Sequence, residues 1–175
     1  MSMEASPGAI VFATPRLDLR PMATEDLAGL TKLFADERAM RNQCRLGDQE
    51  EARAYIERHQ DFYDEHGFGQ LTILERVSGK YVGKCGFSSL VIEDYREFIL
   101  SHLIDPPFEM DDYDVEALEA MITFAFDDLD FMRVVSLVKP FNRRIERILK
   151  ELGMSSEKEV VWDKNTYKLY VIHNT

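Results

Sequence analysis

The order in which strand and helix patterns follow one another is the feature that most limits what this chain can fold into. Alternating apolar residues predict strands at residues 14–20, 70–76, 81–87, 97–104, 133–138, 159–162 and 167–172. Apolar residues at helical spacing predict helices at about residues 24–34, 48–66, 114–128 and 143–152. Because hairpins such as the one at Val77-Ser78-Gly79-Lys80 mix with strand–helix–strand crossovers, we expect a mixed sheet covered by helices.

Capping residues mark where the predicted helices begin and end. Thr24 is expected to cap the first helix, Asp48 lies at the start of the second, and Asn142 is expected to cap the last. Gly67 and Gly153 follow the final turns of the second and last helices, which is the usual place for glycine. The helix boundaries can therefore be predicted from local chemistry.

The length of the chain, 175 residues, suits one domain. Residues 1–11 have neither the basic start nor the long apolar run of a secretory signal, so we predict a flexible lead-in there. Residues 12–175 are predicted to form a single domain. No stretch of 18 apolar residues is present, and we expect no membrane-spanning segment.

The net charge of −11 limits the kinds of partner that the chain is expected to bind. Nucleic acids and anionic membrane surfaces are bound through cationic side chains, so the charge argues against both. A cationic or amine-bearing partner is compatible with it, although acidity in most proteins serves only solubility.

Cysteines and histidines give little sign of metal or disulfide chemistry. Cys44 and Cys85 are too few for a disulfide scaffold, and we predict free thiols in a reducing cytosol, hence a cytoplasmic protein. The four histidines are scattered without a His-x-x-x-His pair, so we predict no metal site. His59 lies on the apolar face of the second helix, where a core histidine is the commoner outcome than a catalyst.

Six short motifs stand in an order and at a spacing typical of one known family. They are Thr14-Pro15-Arg16-Leu17-Asp18-Leu19-Arg20-Pro21 with Glu25-Asp26, then Gly83-Lys84-Cys85-Gly86-Phe87, Glu116-Ala117 with Phe126, Arg133-Val134, Asn142, and Leu152-Gly153-Met154. Through them the chain resembles the GCN5-related N-acetyltransferases, and within these the branch of ribosomal-protein alanine N-acetyltransferases. The resemblance covers nearly the whole chain, from residue 13 to residue 172.

The resemblance implies an α/β fold with a mixed, mostly antiparallel twisted sheet of about seven strands, helices on both faces and two splayed parallel strands. Acetyl-CoA, the family's co-substrate, would lie between those two strands, here residues 97–104 and 133–138. Its pyrophosphate would rest on the turn that opens the central helix, where unpaired N–H groups favour an anion. The cofactor-binding residues implied are Leu103, Ile104, Met110, Asp111, Asp112, Tyr113, Asp114, Asn142, Arg143, Arg144 and Arg147.

This chain departs from the family pattern at the turn itself. The family has roughly Gly-x-Gly-x-Ala there, whereas this chain has Met110-Asp111-Asp112-Tyr113-Asp114. Acids near a pyrophosphate would cost about 2–3 kcal/mol in all, or roughly a hundredfold in affinity. Equally, acids in a first turn stabilise the helix by themselves and could take the place of the phosphate. A second departure is Ile145, which replaces a small hydroxyl residue and cannot donate a hydrogen bond.

Amine attack on a thioester needs a base that takes a proton, and three residues are candidate catalytic residues. His102 stands where relatives often have tyrosine, and histidine titrates in a suitable range, but its side chain could equally face the core. Glu97, together with Glu93 and Asp94, could act through a water molecule. Asn142 matches the family, although a role as helix cap explains it equally well.

We therefore predict an N-acetyltransferase that transfers an acetyl group from acetyl-CoA to an amine. The acceptor would be a peptide N-terminus or a small molecule, with Met40, Tyr63 and Phe68 as candidate pocket residues that are equally suited to the core. The alternative is a catalytically silent domain of the same fold that binds a protein or a small ligand. A homodimer is one option for its assembly.

Overall fold

A computed structural model of the chain describes residues 9–42 and 47–175. Residues 1–8 of the predicted lead-in and Cys44 lie outside these ranges. The strands are β1 (Phe12–Ala13), β2 (Leu17–Pro21), β3 (Gln70–Glu75), β4 (Tyr81–Ile92), β5 (Tyr95–Ile104), β6 (Arg133–Val138), β7 (Ser155–Trp162) and β8 (Asn165–His173). The α-helices are α1 (Leu27–Ala35), α2 (Gln49–His66), α3 (Tyr113–Asp127) and α4 (Arg143–Glu151), and short 3₁₀ helices span Thr24–Asp26, Ala39–Asn42 and Pro106–Asp111.

Within the described residues the strands form one eight-stranded sheet in the order β1-β2-β3-β4-β5-β6-β8-β7. Strands β5 and β6 are parallel, with Ile99 opposite Val135, whereas the pairs β1/β2, β2/β3, β6/β8 and β7/β8 are antiparallel. The prediction of a mixed, mostly antiparallel sheet is confirmed. The strand beyond the expected seven is β1, which has two residues.

The parallel pair is joined by a helix, as parallel strands must be. The chain runs from β5 through the 3₁₀ helix Pro106–Asp111 into α3 and then into β6. The N-terminus of α3 therefore follows directly from the carboxyl end of β5. In α/β sheets this is the usual place for an anionic ligand.

The structure divides into two compact units, each with its own apolar cluster. The first unit contains the described residues up to Cys85 and residues 102–117, and the second contains residues 86–101 and 118–175. The cluster of the first unit is formed by Met22, Leu30, Leu33, Phe34, Ala39, Ala52, Ile56 and Leu103. The cluster of the second unit is formed by Ile92, Ile99, Val135, Val160, Tyr167, Leu169 and Val171.

Local chemistry sets most helix ends as predicted. Asp48 caps α2, accepting a hydrogen bond from the Glu51 amide at 2.9 Å, while the Glu51 carboxylate accepts from the Asp48 amide. Gly67 ends α2 with φ 75°, in the left-handed region that suits glycine. No helix in the described part of the chain is both long enough and apolar enough to cross a membrane.

The prediction that Thr24 caps the first helix is wrong. Thr24 begins a 3₁₀ turn, and Ala23 occupies the capping position before it. The Asp26 carboxylate accepts from the Ala23 amide at 2.8 Å and is also bound by Arg20 and Thr72. A buried carboxylate that accepts these hydrogen bonds fixes the turn more strongly than a threonine hydroxyl would.

Most predicted strands differ in length from the observed ones, and β7 begins at Ser155 rather than at residue 159. Strand β2 starts at Leu17 rather than at residue 14, because the Leu17 amide donates to the Thr14 hydroxyl at 3.0 Å and closes a turn. Strand β4 extends to Ile92 and forms a hairpin with β5 through Glu93 and Asp94. Both turn residues have positive φ, 48° and 67°, in a turn that carries neither glycine nor asparagine as a signal.

Candidate active site

The turn between β5 and α3 is built without glycine. Residues Pro106–Asp111 form a 3₁₀ helix, whose hydrogen bonds run from an amide to the carbonyl three residues back. The Phe108 amide donates to the Asp105 carbonyl at 2.8 Å, and Asp112 follows with φ 55°. Aspartate tolerates this left-handed conformation better than most residues, so it performs the turn that glycine makes elsewhere.

Arg16 places a cation against this turn. Its Nε lies 2.5 Å from Glu116 Oε2, and its Nη1 donates to the Asp111 carbonyl at 2.8 Å. The Thr14 hydroxyl donates to the other Glu116 oxygen at 2.5 Å. Burial acts to raise the pKa of Glu116, but these hydrogen bonds outweigh it and lower that pKa. Glu116 is therefore held as a paired carboxylate.

Two further acids of the turn are paired with cations from the N-terminal third of the chain. Asp105 Oδ2 lies 2.9 Å from Lys32 Nζ, and Glu109 accepts two hydrogen bonds from Arg41 Nη2 at 2.9 and 3.0 Å. The sequence between residues 105 and 116 contains six acids and no base. The fold supplies three bases to it from elsewhere, and so offsets about half of the local negative charge.

Asp114 is fully buried at the first turn of α3. Its Oδ1 accepts from the Val115 amide at 3.0 Å, so one main-chain donor of the turn is already used. Its Oδ2 lies 3.9 Å from His102 Nε2, and the His102 side chain is 13% exposed. The structure thus brings together two predicted site residues, with the His102 imidazole directed toward α3.

The remaining residues of the turn divide into buried and exposed groups. Tyr113 is buried, donates from its hydroxyl to Glu75 at 2.6 Å and lies under the Arg16 guanidinium at 4.5 Å. The hydrogen bond to Glu75 raises the pKa of Tyr113. Met110 is 88% exposed. The side chains of Asp111 and Asp112 are exposed, and neither has an ion-pair partner in the part of the chain that the structure describes.

Leu103 and Ile104 at the end of β5 are buried. Leu103 belongs to the apolar cluster of the first unit, and its carbonyl lies directly against Gly83 of β4. The Asp105 amide donates to the Val82 carbonyl at 2.8 Å. Neither of these two side chains is available to a ligand here, and any contact from them would come from the main chain.

The other predicted site residues lie in the second unit. Glu97 forms an ion pair with Arg133, and Glu93 pairs with Lys158 at 2.5 Å. Asn142 Oδ1 accepts from the Ile145 amide at 3.4 Å, which confirms its predicted role as a helix cap. Arg147 Nε lies 3.9 Å from Glu151.

Two arginines at the start of α4 and one hydroxyl on β6 complete the second unit's candidate residues. Arg143 is exposed and has no ion pair among the described residues, while Arg144 is half-buried. The Ser136 hydroxyl donates to the Leu100 carbonyl at 2.9 Å, one residue beyond the pair Ile99–Val135. Because a side-chain hydroxyl donates to the Leu100 carbonyl, the regular main-chain hydrogen bonding between β5 and β6 changes at this point.

Sequence reasoning missed the cations that face the β5–α3 turn. Arg16 was part of a motif but was not predicted to be a site residue, and Lys32 and Arg41 carried no signal. They are 68 to 100 positions from their carboxylate partners, and no local pattern predicts such contacts. Among the described residues, no group of three or more His, Cys, Asp or Glu side chains could hold a metal ion.

The β5–α3–β6 crossover places the N-terminus of α3 after the first strand of the parallel pair, a position where α/β sheets commonly bind anionic ligands. Residues 16–155 match the sequence model of the acetyltransferase (GNAT) domain, and the chain therefore belongs to that family. Membership supports acetyl transfer as its general chemistry.

Similar proteins agree with this family. The chain is 28% identical over 157 residues to the uncharacterized protein YkkB of Bacillus subtilis, covering 87% of this chain and 90% of YkkB. An acetyltransferase from Agrobacterium tumefaciens matches with a TM-score of 0.81 at 24% identity over 93% of this chain and 94% of its own. The spermidine N-acetyltransferase of Vibrio cholerae, solved with CoA and spermine, matches with a TM-score of 0.74 at 14% identity over 91% and 96%. At these identities the two solved structures show the fold alone.

Proposed function

We propose that this protein is an N-acetyltransferase that moves an acetyl group from acetyl-CoA to an amine. The observation that carries the proposal is the pairing of Asp105, Glu109 and Glu116 with cations of the N-terminal third. The acidic sequence of the turn was the main objection to a phosphate-bearing donor. Because half of those acids are paired with cations, they repel a phosphate less.

The residues of the β5–α3 turn fit a diphosphate in charge and in main-chain chemistry. A helix of 15 residues begins at Tyr113, and the start of a helix favours an anion. The Val115 amide donates to Asp114 and the Glu116 amide to the Asp112 carbonyl at 3.3 Å, so main-chain donors for a diphosphate would come from positions 113 and 114. Arg16 adds a guanidinium that already contacts the Asp111 carbonyl. Exposed Asp111 and Asp112 weaken the fit, so we expect binding that is measurable but weaker than a glycine turn would give.

In the first unit, the main chain from Met110 to Asp114 would meet the diphosphate, and the main chain at Leu103 and Ile104 would meet the pantetheine arm. In the second unit, exposed Arg143, with Arg144, Arg147 and the amide of Asn142, offers groups that suit phosphate and amide ligands. When bound, acetyl-CoA supplies an acyl group activated as a thioester.

His102 is our proposed general base. The acceptor amine must lose a proton, and histidine is suited to take it near neutral pH. Asp114 lies 3.9 Å from the His102 ring and would act as a positioning residue, since it can hold the imidazole in one orientation. Glu97, the alternative base, is engaged by Arg133, which makes it the weaker candidate.

An amine acceptor follows from the family, and the net charge of −11 favours a cationic one. A small-molecule amine and a protein N-terminus are both compatible with the fold, and the motif resemblance favours the ribosomal-protein branch. Buried Cys85 is a free thiol, and a free thiol suits a reducing compartment such as the cytoplasm. Burial raises the pKa of this thiol to about 12.

Two observations favour a second candidate, a silent domain of the same fold. The Val115 amide is bound by Asp114, so that donor is not offered to a phosphate. Ile145, at the start of α4, offers no hydroxyl to a leaving thiolate. A protein that binds CoA weakly or not at all would have this arrangement.

Calorimetric titration with acetyl-CoA, followed by turnover on a panel of amines, tests the proposal. Donor at a hundred times its Kd should add about 2.7 kcal/mol to the free energy of unfolding. His102→Gln should lower kcat by roughly a hundredfold or more and remove the acid limb of the pH profile. His173→Gln, at an exposed histidine of β8, is the matched control and should retain full activity. Absence of any binding at millimolar CoA would reject the enzyme and favour the silent domain.

A further inference from the structure

A cluster of buried polar side chains lies under α2 in the first unit, apart from the β5–α3 turn. Lys84 of β4 is 4% exposed, and its Nζ donates to Gln70 Oε1 at 3.2 Å. The same Nζ lies 5.0 Å from the centroid of the Tyr55 ring. The Tyr55 ring also packs against the His59 ring, with centroids 4.1 Å apart. None of these residues serves the proposed acetyl transfer.

The buried ammonium group of Lys84 lacks a countercharge in the described part of the chain, where no carboxylate lies within ion-pair distance. It has three donors and one neutral acceptor, Gln70 Oε1. Burying an unpaired cation costs several kcal/mol, and proteins rarely keep one without a partner. The cluster therefore carries one buried positive charge that a single negative charge would compensate.

His59 adds an unpaired ring nitrogen to the same cluster. The residue is 7% exposed, and its Nδ1 has no hydrogen-bond partner among the described residues. Burial, followed by the positive charges of Lys84 and Arg58, lowers the pKa of His59 to about 3, so its ring is neutral near pH 7. The Tyr81 hydroxyl, on a side chain packed against the same apolar cluster as Tyr55, is likewise buried without a partner. Unsatisfied buried groups are rare enough to require an explanation.

We propose that Lys84 and His59 bind the carboxylate of the acceptor, so that the acceptor is a small amino acid-like molecule with both an amine and a free carboxylate. One ammonium and one neutral N–H donor match the single charge and the two oxygens of a carboxylate. A phosphate dianion would leave charge uncompensated, and a polyamine would be repelled by Lys84. The assignment rests on the proposed acetyl transfer.

The position of the cluster agrees with this role. Tyr55 and Tyr81 pack against the apolar cluster that includes Leu103, a residue of the strand expected to hold the acetyl donor. Tyr55 is half-buried and contacts both Lys84 and His59, so it is the residue of this group that reaches the surface. A carboxylate held here would place the rest of a short acceptor close to β5.

The first test measures anion binding without acetyl-CoA. Sodium acetate is compared with sodium chloride at equal ionic strength, following the melting temperature and the NMR signals of the His59 imidazole. We expect saturable stabilisation by acetate, a shift of the His59 signals, and at least tenfold weaker acetate binding in Lys84→Met. Lys80→Met, which removes an exposed ammonium at the β3–β4 turn, is the matched control and should bind acetate as the wild type does.

Lys84→Met should also melt no lower than the wild type in chloride, because it removes an uncompensated buried charge. If that variant does not fold, His59→Phe serves in its place and should weaken acetate binding likewise. The assignment is overturned if acetate acts no differently from chloride, if Lys84→Met and Lys80→Met respond alike, or if inorganic phosphate binds more tightly than acetate. If the cluster binds only an ordered water molecule, acetate will act no differently from chloride.

The second test separates this inference from the proposed function. Turnover is compared for amino acids, their carboxamides and the corresponding simple amines. We expect kcat/KM to favour the carboxylates, and that preference to fall at least tenfold in Lys84→Met. Turnover without any such preference would overturn the carboxylate site and leave the acetyltransferase standing. Acetate binding that depends on Lys84, without turnover of any amine, would support the site and reject the acetyltransferase.

Discussion

Single side chains decide the electrostatics of the turn before α3. The local sequence gives six acids between residues 105 and 116, which by itself predicts strong repulsion of a phosphate. Arg16, Lys32 and Arg41 change that balance, and each reaches the turn only through the fold. Of the other three acids, Asp114 is buried beside His102, while Asp111 and Asp112 are exposed and have no ion-pair partner in the described residues.

The charge of these two aspartates should therefore limit donor affinity. The double variant Asp111→Asn/Asp112→Asn removes both charges, and asparagine retains the tolerance for positive φ that position 112 needs. We expect acetyl-CoA to bind roughly three- to tenfold more tightly in calorimetry at low salt, with the gain shrinking as salt rises. Glu119→Gln, at an exposed acid further along α3, is the control and should leave affinity unchanged. Equal affinity of the double variant and the wild type would mean that the diphosphate binds elsewhere.

His59 should make stability sensitive to acid. Its folded pKa, about 3, is below its ordinary value of 6.5, so the unfolded state takes up a proton first as the pH falls. The contribution is fully present above pH 6.5 and is lost progressively down to about pH 3. Between pH 7 and pH 5 this should cost about 2 kcal/mol of unfolding free energy.

Urea denaturation at both pH values measures this loss. In His59→Leu, the difference in unfolding free energy between pH 7 and pH 5 should be smaller than in the wild type by about that amount. His173→Leu changes an exposed histidine and should retain the wild-type difference. An identical pH dependence in His59→Leu would show that the ring is not held neutral in the folded state.

At the scale of the element, helix ends and hairpins show which local signals suffice. The start and end of α2 were predictable because Asp48 and Gly67 carry the required chemistry within their own segment. The hairpin at Glu93 and Asp94 was not, because its positive φ angles are adopted by residues that rarely signal such a turn. The start of the first helix was missed since Asp26 is fixed by Arg20 and Thr72, which are not its chain neighbours.

The capping box of α2 should be worth about 1 kcal/mol. Asp48→Ala removes the acceptor of the Glu51 amide, and we expect the melting temperature to fall by about 2–4 °C. Glu50→Ala removes a neighbouring acid of the same first turn that is not part of the box, and should cost only a few tenths of a kcal/mol. Calorimetry of both variants distinguishes a specific cap from a general effect of first-turn charge. A general charge effect would lower the stability of the two variants equally.

At the scale of the whole molecule, the sheet order depends on contacts that no segment contains. Gly83 shows this most directly, because a Cβ at that position would lie 2.1 Å from the Leu103 carbonyl oxygen. A backbone oxygen cannot rotate away as a side chain can. The approach of β5 to β4 therefore requires this glycine, which stood in the sequence only as part of a motif.

Gly83→Ala should destabilise the protein by about 3 kcal/mol or more, since the overlap forces a shift of a strand. Gly79→Ala is the matched control: its φ of 71° disfavours alanine, but nothing lies within 4 Å of the added atom, so we expect a loss of about 1 kcal/mol. Urea denaturation of both variants gives the comparison. Equal losses would mean that backbone conformation, rather than strand approach, sets the cost at both positions.

The sequence by itself determined the order of the elements and most of their ends, because apolar periodicity and capping act over a few residues. Its motifs carried the resemblance to the family, and they singled out His102 and the acidic turn as candidates. Only the tertiary structure decided that Arg16, Lys32 and Arg41 compensate that turn, that Asp114 lies beside His102, and that Lys84 is buried without a countercharge among the described residues. The physical reason is range: charge pairing and desolvation depend on distances in space, which join residues up to 100 positions apart along the chain.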